Sequence, residues 1–269
     1  MQSNASPYVA HTPDPQGVIH WSTAEHATWQ ELVQRQQPTL AELACPAYLE
    51  GTQYLQLPQE RIPHLADLDQ RLLDSSGWRT EPVPALIDFS RFFGLLSTRR
   101  FPVATFIRSP ADMDYLQEPD VFHEIFGHCP LLTNPAFARF TEVYGQLGLA
   151  ASKEDRTYLA RLYWFTVEFG LIQDQQGQRS LYGGGILSSP TETAYAYSSD
   201  VPERLPFDLL TVLRTPYRID ILQPVYFYLD SIEQLFDVTK QDIMATVQQA
   251  KKLGLLPAKF PLKKTVHTD

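Results

Sequence analysis

The stretch Asp120–Leu132, D-V-F-H-E-I-F-G-H-C-P-L-L, carries the densest chemical signal in the chain. It places His123 and His128 five residues apart, with Glu124 and Gly127 between them. A zinc peptidase uses H-E-x-x-H, whose shorter spacing puts both imidazoles on one face of an α-helix. Five residues turn an ideal helix by about 500°, which leaves the side chains about 140° apart. The histidines therefore converge only if the helix ends between them, and we expect Gly127 to end it.

A second stretch supplies a carboxylate in apolar surroundings. Tyr163–Leu171, Y-W-F-T-V-E-F-G-L, has Glu168 as its single charged residue. Burying an unpaired carboxylate is unfavourable, so Glu168 needs a hydrogen-bond partner, a cation or a metal ion. A buried salt bridge would satisfy it, and a bare pair of histidines is more often one core residue and one helix cap. Two histidines and a carboxylate together favour a metal site.

The ligand types favour iron over zinc. Structural zinc sites usually have four ligands, often cysteines, and this chain has only Cys45 and Cys129. Cys129 follows His128 directly, but its apolar neighbours indicate a buried, inert thiol. Two imidazoles and one carboxylate on one face leave coordination positions open for oxygen and a co-substrate. We therefore expect one Fe²⁺ ion on His123, His128 and Glu168.

Composition narrows the class of protein. The chain has 269 residues, 43% hydrophobic and 20% charged, with a net charge of −9. That charge argues against a nucleic acid partner, because phosphate binding needs a basic surface. No apolar run is long enough to span a bilayer, the first residues lack the pattern of a secretion signal, and two distant cysteines indicate a reducing compartment. We expect a cytoplasmic protein with no membrane partner.

Helical periodicity dominates, and the strands that the sequence indicates are short. We expect one mainly α-helical domain with short strands (α+β) at 21–257, after an N-terminal arm at 1–20 and before a C-terminal tail at 258–269. No βαβ rhythm or internal repeat is visible. The expected helices are 24–36, 41–49 (after a break at Pro38), 65–73, a helix from 120 to Gly127, 157–169 and 241–255; 101–107 is an expected strand, 83–96 fits either type, and 182–185 indicates a turn.

Three motifs are spaced along the centre of the chain: P-D-x-x-H-E-x-x-G-H-x-P-L at 119–131, Y-W-F-T-V-E-F-G-L at 163–171 and Y-G-x-G-I-L-S-S at 182–189. Together they resemble the pterin-dependent aromatic amino acid hydroxylases, most closely the short bacterial members, from about residue 61 to 223. The resemblance implies that 21–257 is an iron- and pterin-binding catalytic domain. It implies hydroxylation of L-phenylalanine to L-tyrosine with O₂ and a tetrahydropterin, such as tetrahydrobiopterin, in phenylalanine catabolism.

The same resemblance implies which residues hold the amino acid substrate. Arg108 resembles the arginine that binds the substrate carboxylate, and Asp120 resembles the acid that holds that arginine. Without the resemblance this pair could equally be a surface salt bridge. Trp164 would line the pocket for the ring, with plain core packing as its alternative. Ser188 resembles a serine beside a ligand histidine, and Ile219 occupies the position where an apolar residue suits a ring without a hydroxyl.

The resemblance also implies which residues contact the pterin. Phe92 resembles the aromatic residue on which the reduced pterin stacks. Ala85, Ile87 and Phe89 lie in the segment that offers backbone groups to the edge of the pterin. Glu124 resembles a glutamate that reaches the pterin through water.

Several positions depart from the pattern of the animal members. Leu116 cannot offer the substrate a hydroxyl, so that contact is lost or replaced. Ala85 and Phe89 stand where the animal enzymes carry glycine and serine, which affects the pose of the pterin. The chain has no room for a regulatory domain and no long C-terminal heptad segment, so we expect a monomer.

Alternatives stay open at this point. A tyrosine or tryptophan hydroxylase of the same family is one, although Trp164 is phenylalanine in tryptophan hydroxylases and Ile219 is aspartate in tyrosine hydroxylases. A zinc-dependent hydrolase with Glu124 as general base is another. The third is a non-catalytic domain whose histidines cap a helix.

Overall fold

Helices form most of the chain in the computed structural model, which describes residues 8–114 and 118–261. The expected mainly helical architecture with short strands is confirmed. Within the described ranges no helix is both long and apolar enough to cross a lipid bilayer. The α-helices are α1 Thr23–Leu43, α2 Pro46–Leu55, α3 Leu65–Ser76, α4 Phe89–Ser97, α5 Cys129–Leu132, α6 Pro135–Ala150, α7 Lys153–Tyr163, α8 Gly184–Leu187, α9 Pro190–Ser198, α10 Leu209–Arg214, α11 Gln234–Val238 and α12 Ile243–Leu253. The strands are β1 Arg79–Val83, β2 Arg100–Ala104, β3 Gly170–Gln173, β4 Arg179–Leu181, β5 Glu203–Pro206 and β6 Val225–Leu229.

Helix α1 continues through the proline that was expected to end it. Ser22 caps its first turn by accepting from the backbone N–H of Glu25, and Pro38 lies inside the helix. A proline at this position removes one backbone hydrogen bond. Gln36 and Leu40, on either side of Pro38, are both buried on the face that packs into the protein. Tertiary packing thus outweighs the local propensity, and the predicted break between 36 and 41 is wrong.

Two small sheets lie among the helices. β1 pairs with β2 in parallel, and α4 is the crossover between them. The second sheet has the order β4-β3-β6-β5, with β3 and β4 antiparallel and the other pairs parallel. The expected absence of βαβ units is therefore wrong. The sequence did not reveal this crossover because the ambiguous segment 83–96 contains parts of three elements. It begins with the last residue of β1, continues as a loop containing Pro84, and ends in α4, whose first turn is capped by Asp88.

The core-forming helix α6 was not predicted. It packs against α4 and buries a continuous set of apolar side chains that includes Phe137, Phe140 and Tyr144. Two glycines interrupt its apolar periodicity and lower its helical signal in the sequence. Helix α6 supports α4, which carries Phe92, the residue predicted to stack on the pterin.

The described parts of both ends contact the body of the protein. The backbone N–H of His11 donates to the carbonyl of Thr105 at 2.7 Å, and the Thr105 hydroxyl donates back to the His11 carbonyl at 2.7 Å. After α12, Lys259 forms an ion pair with Glu203 at 2.8 Å. The division into arm, domain and tail stays a prediction, and residues 1–7 and 262–269 lie outside the described ranges.

Candidate metal centre

A π-helical turn, π1, spans His123–His128 and directly precedes α5. A π-helix joins residue i to residue i+5 by its backbone hydrogen bonds, so residues five apart lie above one another. This wider turn brings the two imidazoles to one side without ending the helix. The predicted termination at Gly127 is therefore wrong, although the predicted convergence of the histidines is observed.

Gly127 has a different reason to be glycine. A Cβ at that position would lie 2.8 Å from the carbonyl oxygen of Gly184 in α8. A Cβ on Gly184 would in turn lie 2.3 Å from Cε1 and 2.5 Å from Nε2 of His128. The two glycines let α8 pack closely against π1, and the backbone of α8 supports the His128 ring.

We expect Gly184→Ala to weaken metal binding by about 10- to 100-fold, because the added methyl group must displace the His128 imidazole. The measurement is an anaerobic iron titration of the purified protein. Gly94→Ala is the matched control, since a Cβ there meets nothing within 4 Å. Unchanged iron affinity in Gly184→Ala would contradict the role given to this contact.

A second π-helical turn, π2, spans Trp164–Glu168 and carries the carboxylate. It continues α7 directly, and the N–H of Phe169 donates to the carbonyl of Trp164 at 2.9 Å, five residues back. The predicted helix 157–169 therefore changes type at Trp164. Glu168 is the last residue of this turn, immediately before Phe169 and β3.

The side chains of His123, His128 and Glu168 meet in space. The two Nε2 atoms lie 3.1 Å apart, and Glu168 approaches His123 Nε2 at 3.5 Å and His128 Nε2 at 3.4 Å through its two carboxylate oxygens. They are the group of potential metal ligands found among the described residues. Metal–ligand bonds of about 2.1 Å set about 90° apart would separate ligand atoms by about 3 Å. The donor set and its spacing thus fit one metal ion with a partly open coordination sphere.

Ser188 fixes which nitrogen of His123 faces this centre. The Ser188 hydroxyl donates to the carbonyl of Gly184 at 2.8 Å, so it must accept from the His123 Nδ1–H at 2.8 Å. The other nitrogen, Nε2, then carries a lone pair directed at the cluster. His128 lacks such an anchor, since its buried Nδ1 has no hydrogen-bond partner among the described residues. Its ring is held by packing against Gly184 and Phe101.

Electrostatics keep the carboxylate charged. Burial alone would raise the pKa of Glu168, but the adjacent His128 and His123 outweigh burial and hold that pKa well below its usual range. Burial lowers the pKa of His128 and outweighs Glu168 there. Burial also lowers the pKa of His123, but the negative charge of the adjacent Glu168 outweighs burial and raises that pKa. A buried anion facing two imidazoles is an environment that attracts a cation.

Glu124 and Cys129 stand apart from the three candidate ligands. Burial raises the pKa of Glu124 to about 8, and the nearby Glu168 and Asp120 carboxylates act in the same direction. Cys129 is buried, and burial holds the pKa of its thiol well above the usual value. Cys45 is also buried, with a pKa raised to about 11. Neither thiol is part of the candidate metal group.

Arg108 and Asp120 form a buried ion pair instead of a surface salt bridge. Arg108 donates from Nε to Oδ2 of Asp120 at 2.9 Å and from Nη2 to Oδ1 at 3.0 Å. Only 5% of Arg108 and none of Asp120 is exposed. Asp120 also accepts from the backbone N–H of His123 at 2.9 Å. One carboxylate therefore orients the guanidinium and the start of π1 together.

Trp164 lies in an aromatic cluster. Its ring stacks on Tyr217 at 4.5 Å between centroids, and Phe169 is 4.4 Å away. Its indole N–H donates to Oε1 of Gln223 at 2.9 Å. Ile219, two residues after Tyr217, is 59% exposed. The structure thus brings Trp164 next to the segment that contains Ile219.

Four of the five residues expected at the pterin occupy the loop before α4 and the first turns of that helix, and the fifth, Glu124, lies in π1. Ala85 and Ile87 are half-buried, and Phe89 is 62% exposed. Phe92 is half-buried and contacts Tyr163 edge-on at 5.5 Å. That contact links α4 to the residue before π2. The departure expected at Leu116 lies outside the described residues.

Sequence reasoning gave no role to two residues that touch the site. Gly184 was visible as part of a glycine-rich turn, but its contact with His128 depends on how α8 packs. Gln223 is the last residue of the stretch that resembles the family. Its hydrogen bond to Trp164 joins residues 59 positions apart. Such long-range pairs leave no local pattern in one sequence.

Comparisons with known proteins agree with this arrangement. The profile of the family described as biopterin-dependent aromatic amino acid hydroxylase matches residues 3–253. The phenylalanine-4-hydroxylase of Vibrio cholerae is 56% identical over 251 residues, which cover 93% of this chain and 86% of that protein. The apo structure of the cold-active phenylalanine hydroxylase from Colwellia psychrerythraea superposes with a TM-score of 0.93 at 56% identity, covering 96% of this chain and 99% of the other. A Chromobacterium violaceum phenylalanine hydroxylase structure with bound oxidised Fe(III) gives a TM-score of 0.87 at 42% identity, covering 95% and 92%.

These matches, together with the donor set, define a pterin-dependent hydroxylase, which is an oxidoreductase. The chain belongs to the biopterin-dependent aromatic amino acid hydroxylase family. The family resemblance expected from the three motifs is thereby confirmed. The alternatives of a zinc-dependent hydrolase and a non-catalytic domain are set aside.

Proposed function

We propose that the protein is a phenylalanine 4-monooxygenase, which forms L-tyrosine from L-phenylalanine with O₂ and a tetrahydropterin such as tetrahydrobiopterin. Fe²⁺ would be held by His123, His128 and Glu168. The observation that carries the proposal is the convergence of these three side chains on two π-helical turns. The family match and the names of the similar proteins support the reaction type and the substrate.

The residues around the metal would position the substrate. Arg108 keeps donors on its guanidinium beyond those used by Asp120, and these suit a carboxylate. Trp164 would offer a flat wall to the aromatic ring, and Phe92 a stacking surface to the pterin. Ser188 orients the His123 ring through the hydrogen bond described above. Iron and the reduced pterin supply the electrons for oxygen activation when bound, while these residues bind, orient and exclude water.

The decisive experiment is anaerobic iron loading, followed by an assay of tyrosine with phenylalanine, O₂ and a tetrahydropterin. We expect about one iron per chain and tyrosine formation that requires all three reactants. The same assay with tyrosine and with tryptophan as substrates tests the two alternatives within the family. Tyrosine formation that is absent from iron-loaded protein would refute the proposal.

We expect Ile219→Asp to shift substrate preference away from phenylalanine, because a carboxylate can accept a hydrogen bond from a ring hydroxyl, which phenylalanine lacks. The expected change is on the order of tenfold in the ratio of kcat/KM for phenylalanine to that for tyrosine. Ile219→Val is the control, since it stays apolar. An unaltered ratio in Ile219→Asp would count against a role for this position in specificity.

Further properties complete the proposal. The resemblance implies a catalytic unit at 21–257, with an arm at 1–20 and a tail at 258–269. The proposal includes a monomer in the cytoplasm that acts in phenylalanine catabolism, and the two free, buried cysteines support a reducing compartment. Size-exclusion chromatography with light scattering tests the monomer.

A further inference from the structure

Gln223 is a buried amide between two elements of the proposed substrate pocket. It is 1% exposed and lies two residues before β6. Its Oε1 accepts from the indole N–H of Trp164 at 2.9 Å. Its Nε2 donates to the carbonyls of Arg218 at 3.0 Å and Ile221 at 2.9 Å. One side chain therefore joins π2 to the loop 218–221.

The partners themselves decide the orientation of this amide. An indole N–H can only donate, so it must face the oxygen of Gln223. The two backbone carbonyls can only accept, so they must face the nitrogen. Rotating the amide by half a turn would break all three hydrogen bonds. The arrangement is specific for glutamine in both its donors and its acceptor.

The backbone of Gln223 is held as well. Its N–H donates to Oε1 of Glu192 at 3.2 Å, and the same carboxylate oxygen accepts from the hydroxyl of Tyr226. Glu192 is buried in α9. Gln223 is thus anchored from behind, so that its side chain can hold Trp164 and the loop at a fixed separation.

A second contact couples the same two elements. Tyr217 directly precedes the loop 218–221 and stacks on Trp164 with an interplanar angle of 20°. The stacked ring and the hydrogen-bonded amide fix the indole through its face and its edge. Two independent contacts on one side chain restrict its rotation more than either does alone.

We propose that Gln223 is a positioning residue for substrate selection, which sets the distance between Trp164 and the loop carrying Ile219. This inference rests on the proposed function, in which these two residues border the substrate ring. Gln223 itself need not touch the substrate. Its loss should therefore change substrate binding and preference more than the maximal rate.

Two substitutions separate the bond that Gln223 accepts from Trp164 from the bonds that it donates to the loop 218–221. Gln223→Glu keeps an acceptor for the indole N–H but replaces the donors with an oxygen that repels the carbonyls of Arg218 and Ile221. Gln223→Leu removes the bond to Trp164 and the bonds to the loop together. Gln248→Leu is the control, because Gln248 is an exposed amide on α12 with one hydrogen bond, to Asp155.

The contact has a readout that is independent of catalysis. In protein with ¹⁵N-labelled tryptophan, the indole resonance of Trp164 is identified by its disappearance in Trp164→Phe. We expect this N–H to exchange with solvent at least about tenfold faster in Gln223→Leu, and to stay near its wild-type rate in Gln223→Glu and Gln248→Leu. An indole that exchanges equally in wild type and Gln223→Leu would overturn the contact.

Steady-state kinetics test whether the contact of Gln223 with Trp164 and the loop affects substrate selection. We expect Gln223→Glu to raise KM for phenylalanine by on the order of tenfold and to lower the preference for phenylalanine over tyrosine, with less change in kcat. Gln223→Leu should have the larger effect, and Gln248→Leu none. Wild-type KM and preference in Gln223→Glu would overturn the positioning role, even if thermal stability fell.

Failure of the two proposals can be told apart. If the iron-loaded wild type forms no tyrosine, the proposed function fails and the selection role fails with it, whereas the indole resonance still reports the contact. If wild type is active and Gln223→Leu does not fold, Gln223→Glu decides, because it keeps the shape and the bond to Trp164. Raised KM in that variant, with an intact indole signal, supports the role of the loop bonds.

Discussion

Glu168→Gln is expected to abolish stoichiometric iron binding and to lower kcat/KM for phenylalanine by on the order of 10³-fold or more. Glu168 provides the only negative charge in the candidate ligand group. The amide has the same shape but no charge, so it cannot compensate a cation in a buried site. Metal analysis after anaerobic iron loading, together with the tyrosine assay, measures both effects.

A matched control distinguishes the loss of a ligand from the loss of a buried carboxylate. Glu142 in α6 is also buried, and it pairs with Arg139 at 3.0 Å and Arg99 at 3.2 Å. Glu142→Gln should keep both iron and activity. Full iron occupancy in Glu168→Gln would remove Glu168 from the ligand set, and the metal assignment would have to be abandoned.

The second large effect is expected from Asp120→Asn, which leaves the Arg108 guanidinium buried without a counter-charge. Breaking a buried ion pair by removing one partner destabilises a protein by about 3–5 kcal/mol. We expect a fall of that size in the free energy of unfolding, measured by urea denaturation at pH 7. A raised KM for phenylalanine should accompany it, because Asp120 orients Arg108.

The pH dependence gives an independent check. Burial alone would raise the pKa of Asp120, but Arg108 and backbone hydrogen bonds outweigh it and lower that pKa. A carboxyl whose folded pKa is lowered contributes stability above its unfolded pKa, and loses it as the pH falls towards the folded value. The gap between wild type and Asp120→Asn should therefore narrow below about pH 4.

An exposed pair is the control for this ion pair. Asp237 and Lys240 lie 2.7 Å apart, with more than half of each side chain exposed. Asp237→Asn should change the free energy of unfolding by less than about 1 kcal/mol. An equally small effect in Asp120→Asn would mean that Arg108 is not held by charge.

The sequence predicted the chemical features of the site better than its backbone. The types and spacing of His123, His128 and Glu168 indicated three ligands, and the structure brings these side chains together. That they bind iron stays a prediction. The two π-helical turns were not foreseen, because α- and π-helices differ in hydrogen-bond register and not in residue preference. The prediction that Gly127 ends the helix was therefore wrong, and its close contact with Gly184 was not foreseen.

Features that depend on distant partners were also missed. Pro38 lies inside α1 because Gln36 and Leu40 pack into the core, which no local rule reveals. The buried state of the Arg108–Asp120 pair depends on the surrounding fold, so the sequence left a surface salt bridge open. Gln223 acquires its three side-chain partners only when the loop 218–221 meets π2.

Each π-helical turn contains one residue more than the α-helical turn it replaces. Deleting a single residue between His123 and His128 would restore H-E-x-x-H spacing, which an uninterrupted α-helix can present on one face. The wider turn absorbs the surplus residue, so the helix beyond it would keep nearly its present orientation, but the two imidazoles would lose the π-helical turn that presents them here. A designer who transplants this centre into an ideal helical bundle must therefore carry the surplus residue along with the ligands.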